Sequence, residues 1–223
     1  WTVPDEPSDE VWLRAKQLWP NNIDNVNYFR HPGGVNSAVF NTEGNLMVTS
    51  CTDSKARLYN TNNGKLIREF TGHTKPLTWA AIDKNELYIA TSSDDSTARV
   101  WDLETGDVIL KVTEHRNKVR AVNFSPDGTR IVTIGHDGQA FVWDIATGDK
   151  LVTLCCISNP LWYGVYNSAG DQILIAGGGA RAALYDANNG DVIKEFIVEP
   201  TKVITIQYAK WSEDDSKIVT ADW

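Results

Sequence analysis

Short runs of β-branched and other apolar residues recur along the chain, and turn-forming residues close each run. In the middle of the chain, Val119–Phe124 alternates apolar and polar side chains and ends in Ser125-Pro126-Asp127-Gly128. Such alternation predicts a strand with one buried face. Three more predicted strands follow before the pattern restarts: Arg130–Ile134, Ala140–Trp143 and Lys150–Leu154. With Asp137-Gly138 as a hairpin turn, this unit predicts a four-stranded antiparallel sheet.

The unit repeats with a period of 42 residues. An aromatic residue followed by Asp or Asn ends each predicted third strand, at Tyr59, Trp101, Trp143 and Tyr185. The first three repeats also keep a His, a Thr and an Asp at fixed distances before that aromatic: His31, His73, His115; Thr49, Thr91, Thr133; Asp53, Asp95, Asp137. A fixed period of this length indicates an array of equivalent structural units.

Several of these motifs resemble the consensus of the WD40 family, notably Gly72-His73 with Trp101-Asp102, and Ser125–Gly128 with Trp143-Asp144. The resemblance covers about 31–223. It implies an all-β fold, a β-propeller whose blades are four-stranded antiparallel sheets. It divides the chain into four complete repeats and a partial fifth, at about 31–72, 73–114, 115–156, 157–198 and 199–223. Most family members have seven blades, and this chain stops inside a predicted hairpin, so we expect it to be a fragment of a larger protein.

The N-terminal segment, residues 1–30, carries no repeat and has two readings. In the first, Ser8 caps an amphipathic helix over 8–19 that Pro20 ends. In the second, Leu18-Trp19 and Val26–Phe29 supply outer strands to the last blade, as N-terminal residues often do in WD40 propellers.

The repeated His, Thr and Asp residues resemble catalytic groups, but a catalytic triad requires one constellation in one place. The WD40 resemblance implies instead a buried hydrogen-bonded chain inside each blade, in the order aromatic, Thr, His, Asp. The structural residues would be His31, Thr49, Asp53, Tyr59; His73, Thr91, Asp95, Trp101; and His115, Thr133, Asp137, Trp143. The fourth repeat has Ile157, Ile175 and Gly179 at the His, Thr and Asp positions, so we expect no hydrogen-bonded chain there. We therefore predict no catalytic residue and no enzyme activity.

Composition and residue spacing argue against several classes of function. The net charge is −8, which argues against general binding of nucleic acid because phosphate binding requires a basic face. Three cysteines, Cys51, Cys155 and Cys156, lack disulfide-framework spacing and predict reduced thiols in an intracellular protein, cytoplasmic or alternatively nuclear. No apolar run is long enough for a membrane helix. No cluster has metal-ligand spacing, so we expect no metal, cofactor or small-molecule substrate.

Candidate partner-binding residues come from positions that vary between repeats. In WD40 proteins, the third and fifth residues after the His and the residue before the turn Asp surround one face. Here those positions give the candidate set Lys118, Arg120, His136, Trp162, Lys202 and Trp223. Arg and Trp are enriched at binding hot spots. The alternative is a solvated rim in which one Trp packs on a neighbouring residue.

The resemblance implies a non-enzymatic scaffold that binds other proteins or peptide segments within a multiprotein complex. The candidate set favours an acidic or aromatic-bearing segment. The alternatives are a reader of histone tails or degrons and, less expected, an enzyme built on a propeller.

Overall fold

A computed structural model of the protein describes residues 11–16, 26–154, 160–179, 181–197 and 205–222. These residues form 20 strands and no helix. Every strand pairing is antiparallel, and four sheets have four strands each. The predicted all-β fold with four-stranded antiparallel sheets is therefore confirmed.

Each four-stranded sheet is one blade, with its strands in chain order. An N-terminal hairpin comes first, with strands β1 (Val11–Lys16) and β2 (Val26–His31). Blade one has β3 (Val35–Phe40), β4 (Leu46–Cys51), β5 (Lys55–Asn60) and β6 (Leu66–Thr71). Blade two has β7 (Leu77–Ile82), β8 (Tyr88–Ser93), β9 (Ala98–Asp102) and β10 (Val108–Val112).

The later blades follow the same plan. Blade three has β11 (Val119–Phe124), β12 (Arg130–Gly135), β13 (Ala140–Asp144) and β14 (Lys150–Leu154). Blade four has β15 (Leu161–Tyr166), β16 (Gln172–Gly177), β17 (Arg181–Asp186) and β18 (Val192–Ile197). A two-stranded fifth sheet has β19 (Ile206–Trp211) and β20 (Ile218–Asp222).

The first strands of the blades lie next to one another, since β3, β7, β11, β15 and β19 contact in succession. Their aromatic side chains meet between the blades. The Trp79 ring lies 5.2 Å from the Tyr163 ring, and Tyr163 lies 4.5 Å from Tyr208, measured between ring centroids. The first strands of blades two and four and of the fifth sheet are therefore joined by one aromatic cluster.

The core lies between adjacent sheets. The second strand of each blade is almost wholly buried because neighbouring blades cover both of its faces. Blade-to-blade packing uses the repeated aromatic. Phe70 of blade one packs on Trp101 of blade two, with ring centroids 5.8 Å apart. Burying a side chain of this size contributes about 2–3 kcal/mol.

The antiparallel order gives the array two faces. Blade-connecting loops and the turns between second and third strands lie on one, which we call the loop face. The turns between first and second strands and between third and fourth strands lie on the other, which we call the turn face.

The prediction of an N-terminal helix over 8–19 is wrong at Val11–Lys16, where the structure has β1 paired with β2. Val11-Trp12 is a combination that favours strands, and a neighbouring strand satisfies its backbone groups. Residues 8–10 and 17–19, including Leu18-Trp19, lie outside the described residues.

The second reading of the N-terminal segment placed Val26–Phe29 in a strand, and these residues lie in β2. Phe29 packs edge-on against Tyr59 at 5.1 Å, as Phe70 packs on Trp101. The hairpin thus covers blade one in the way that the outer strands of a preceding blade would. Its pairing with β19 and β20 stays a prediction.

Candidate protein-interaction face

In blade two, the repeated polar residues form one continuous chain. Trp101 Nε1 donates a hydrogen bond to Thr91 Oγ1 at 2.8 Å. Thr91 Oγ1 and His73 Nε2 are 2.9 Å apart, and so are His73 Nδ1 and an Asp95 oxygen. Because the ionised Asp95 can only accept, the His73 proton lies on Nδ1, and Thr91 donates to the unprotonated Nε2.

Blade three has the same chain. His115 Nδ1 lies 3.2 Å from Asp137, His115 Nε2 lies 2.9 Å from Thr133 Oγ1, and Trp143 Nε1 donates to that oxygen at 3.0 Å. Burial lowers the pKa of His115, so the ring is neutral at pH 7. The Thr133 hydroxyl is fully buried and already bonded, which fits a group that stabilises its blade rather than one that meets a substrate.

Blade one has the same residue types, but the structure does not join them, and the sequence prediction is wrong here. Asp53 is held by Arg57, whose Nη2 and Nη1 lie 2.5 and 3.2 Å from the two carboxylate oxygens. His31 Nδ1 lies 3.2 Å from the sulfur of Cys51 instead. Tyr59 directs its hydroxyl to the carbonyl of Arg30 at 3.1 Å.

The physical reason is the aromatic residue. A tyrosine hydroxyl lies at the far end of the ring, so Tyr59 cannot give Thr49 the bond that a Trp nitrogen gives the equivalent threonine in blades two and three. Sequence reasoning missed Arg57 and Cys51. The signal for this departure was Tyr59 in the position where blades two and three have Trp.

Blade four has an apolar interior at these positions. Ile175 is buried, and the Ile134 side chain of blade three packs where a side chain on Gly164 would stand. Gly179 lies in the turn after β16 with a φ of 69°, while Ile157 lies outside the described residues. No polar group is left without a partner when such a chain is replaced as a whole.

Three candidate partner-binding residues form one cluster on the loop face. The Arg120 guanidinium carbon lies 4.6 Å from the centre of the Trp162 ring, a cation–π contact. On the same indole, the His136 ring makes an edge contact with centroids 4.5 Å apart. All three side chains are half-buried. We call Arg120, Trp162 and His136 the Trp162 cluster.

Lys118 lies beside this cluster but is already paired. Its ammonium nitrogen lies 2.6 Å from a carboxylate oxygen of Asp94, and its carbonyl accepts the His136 backbone N–H at 2.8 Å. Lys118 therefore adds little net charge. The remaining two candidates, Lys202 and Trp223, lie outside the described residues.

Equivalent positions in blades one and two serve the fold. Asn36 donates to the Leu77 carbonyl at 2.6 Å, and Thr78 donates to the Val119 carbonyl at 2.5 Å. Each bond ties a first strand to the next blade. Arg120 and Trp162, at the same repeat position in blades three and four, stack on each other instead. At this repeat position, the residues whose side chains do not tie one blade to the next by a hydrogen bond therefore lie on blades three and four.

Two ring nitrogens of the Trp162 cluster have unused hydrogen-bonding capacity among the described residues. Trp162 Nε1 and His136 Nε2 are buried and have no hydrogen-bond partner among the described residues. Burial lowers the pKa of His136, and the nearby Arg120 and Lys118 lower it further. His136 is therefore neutral at pH 7, and Arg120 supplies the charge of the cluster.

Other kinds of site were also sought. Within the described ranges, no group of three or more His, Cys, Asp or Glu residues is placed to hold a metal ion. In the same part of the chain, no helix has the length and apolar character needed to cross a membrane.

Comparison with known proteins matches the sequence profile of the WD40 family, described as WD domain, G-beta repeat, at 25–60, 64–102 and 106–144. These three consecutive matches cover just over half of the chain. A search of curated proteins finds no match. Each match begins at the strand that precedes a blade and ends at the closing aromatic of that blade's third strand, in blades one, two and three, which confirms the resemblance. The chain belongs to the WD40 repeat family.

Proposed function

We propose that this protein is a non-enzymatic scaffold whose loop face binds a segment of another protein within a multiprotein complex. WD40 repeats generally mediate protein–protein interactions. The Trp162 cluster is the observation that carries the proposal for this chain. It combines a half-buried indole, a stacked guanidinium and polar atoms without partners.

The geometry of the cluster suits an anchor point. Arg120 and His136 hold the Trp162 ring from two sides, so the ring loses little conformational freedom when a partner binds. Trp and Arg in a partly desolvated patch are the residues that dominate many interfaces. A preorganised anchor of this kind favours a peptide segment over a large flat surface.

The charge of the cluster favours an acidic segment. Arg120 carries the uncompensated charge, because Lys118 is paired with Asp94 and His136 is neutral. The indole N–H is a donor and needs an acceptor such as a carboxylate or a backbone carbonyl. The positive charge of Arg120 would repel a lysine-rich or arginine-rich tail. The site therefore argues against a function as a reader of basic histone tails. Lys202 and Trp223 remain predicted extensions of the site.

An enzymatic role finds less support. The His, Thr and Asp residues that suggest catalysis are joined inside blades two and three, where the threonine hydroxyls are fully buried. We also propose an intracellular location, cytoplasmic or nuclear, which the buried free thiol of Cys51 supports.

The test is affinity purification with mass spectrometry from cells that express the protein or its double variant Arg120→Glu, Trp162→Ala. A matched control is Lys65→Glu with Phe40→Ala, which changes a basic and an aromatic residue at exposed positions on the turn face, opposite the cluster. We expect the cluster variant to lose partners that the control retains, while circular dichroism and gel filtration show both folded. If the folded cluster variant keeps every partner, the site lies elsewhere.

A further inference from the structure

The turn face has a cavity of about 370 Å³ at the junction of blades two and three. It lies on the opposite side of the blades from the Trp162 cluster. Its walls combine three carboxylates with an aromatic ring and aliphatic side chains: Asp83, Asp127 and Asp144 with Leu87, Tyr88, Ile109 and Ile145. This combination suits a ligand with an apolar stem and a cationic end.

Asp83 is the unusual member of this cavity. Its side chain is buried, with 1% of the residue surface exposed. One carboxylate oxygen accepts a long bond of 3.4 Å from the Leu87 N–H, and the other has no hydrogen-bond partner among the described residues. A buried carboxylate without partners is costly, because the group has lost water and gained nothing in return.

Equivalent junctions show what is missing. Asn41, at the position of Asp83 in blade one, donates to the Glu86 side chain in the next blade at 2.6 Å. Between blade four and the fifth sheet, Ser168 donates to an Asp215 oxygen at 2.5 Å. Glu86 and Asp215 both occupy the fourth position of the neighbouring turn. At these junctions the next blade supplies the partner.

At the Asp83 junction that fourth position is Gly128. Gly128 has a φ of 73°, and a Cβ atom there would stand 2.5 Å from the unpartnered Asp83 oxygen. The neighbouring blade therefore provides no side chain to this carboxylate. Asp83 lines the cavity, which is therefore the side from which a donor outside the two blades would approach this carboxylate.

We propose that this cavity binds an arginine side chain of a partner protein, with its guanidinium group on the Asp83 carboxylate. The aliphatic walls, including Ile109 and Ile145, suit the methylene stem, and Tyr88 offers a ring for stacking. Arginine fits better than lysine because its guanidinium is planar, weakly hydrated and rich in donors for several oxygens. The Thr147 N–H bond lowers the pKa of Asp144, which keeps a second negative charge at the rim.

The experiment is an NMR titration of the ¹⁵N-labelled protein with N-acetyl-arginine methylamide. N-acetyl-lysine methylamide and the uncharged N-acetyl-norleucine methylamide are the comparison ligands. We expect saturable shifts of the Gly128 and Thr129 amides with the arginine compound, weaker shifts with lysine and none with norleucine. Added salt should weaken binding, because the contact is between charges.

The variant Asp83→Asn removes the charge and keeps the shape. Asn41 and Asn167 occupy the same turn position in blades one and four and each accept a bond from a backbone N–H of the same turn, as Asp83 does from Leu87, so this variant should fold normally. We expect it to bind the arginine compound at least about tenfold more weakly. Asp107→Asn, an exposed charge on the same face, is the matched control and should bind as the parent does.

Three results would overturn the proposal. They are unchanged binding by a folded Asp83→Asn protein, equal shifts with arginine and norleucine, and affinity for lysine that equals that for arginine. None of these results bears on the Trp162 cluster, because the two sites lie on opposite faces.

Discussion

Blades one and two carry His, Thr and Asp at the same repeat positions, yet only blade two joins them into a chain. In blade two, Trp101 Nε1 donates to Thr91, Thr91 donates to His73, and His73 donates to Asp95. In blade one, Tyr59 makes no such bond, and Arg57 binds the aspartate. The comparison shows that the ring N–H of the aromatic, rather than the His, decides whether the polar chain forms.

The largest expected difference between the two blades is in the free energy of unfolding lost when the arginine at the position of Arg57 is replaced. Its side chain is buried and binds both Asp53 and Glu69. Arg57→Met removes the guanidinium that holds Asp53 and leaves Glu69 paired with Lys55 alone, so it should lower the free energy of unfolding by about 3 kcal/mol. Arg99, the equivalent residue in blade two, is half-buried and bonds a carbonyl, so Arg99→Met should cost about 1 kcal/mol. Urea denaturation measures both, and equal losses would contradict the difference.

The second comparison uses the threonine. Thr91→Val leaves both the Trp101 N–H and His73 Nε2 without their partner in a buried site, so it should cost about 2 kcal/mol. Thr49 makes only a 3.4 Å bond to the Arg57 carbonyl and a 3.8 Å contact with Cys51. Thr49→Val should therefore cost about 0.5 kcal/mol. Similar losses in urea denaturation would show that blade one has a chain after all.

The pH dependence of stability should also differ between the blades. Burial, followed by the charge of Arg57, lowers the pKa of His31 to about 4. Since the unfolded chain binds a proton near pH 6.5 and the folded chain does not, stability falls as the pH drops from about 6.5 towards 4. His31→Gln should reduce this loss by about 1 kcal/mol per pH unit between about pH 6 and 5.

The matched variant for this pH effect is His73→Gln in blade two. Burial lowers the pKa of His73 too, but the Asp95 carboxylate opposes that effect. We therefore expect His73→Gln to flatten the pH dependence less than His31→Gln does. Denaturation midpoints measured at several pH values check this, and a larger change for His73→Gln would contradict the assignment.

Much of the fold could be predicted from the sequence because each repeat contains its own strand and turn signals. Arg120 and Trp162 could be expected to meet, since they occupy the same repeat position in neighbouring blades. The helix at 8–19 was wrong over Val11–Lys16 because local capping signals say nothing about a strand partner. The pairing of Lys118 with Asp94 depends on the loop path, which no repeat rule gives.

Other parts of the sites depend on which atoms face each other. Asp83 looks in sequence like an ordinary turn residue, as Asn41 and Asn167 do. Only the three-dimensional contacts show that one of its oxygens lacks a partner and that Gly128 packs against this oxygen without offering a side chain to it. The same holds for Asp53, which binds Arg57 in the structure and not the His31 ring that the repeat pattern predicts. The position of a residue in the repeat predicts which residues lie near it, but it does not predict which of them forms each hydrogen bond or ion pair.

The smallest expected effect concerns the Tyr59 hydroxyl, which donates to the Arg30 carbonyl beside an open cavity of about 510 Å³. Water in this cavity can replace the lost donor, so Tyr59→Phe should cost only about 0.5 kcal/mol in urea denaturation. The ring contact with Phe29 remains in this variant and still packs the N-terminal hairpin on blade one. A loss as large as that of Thr91→Val would mean that the hydroxyl belongs to a buried polar chain. Blade one would then resemble blade two in energy despite its different bonds.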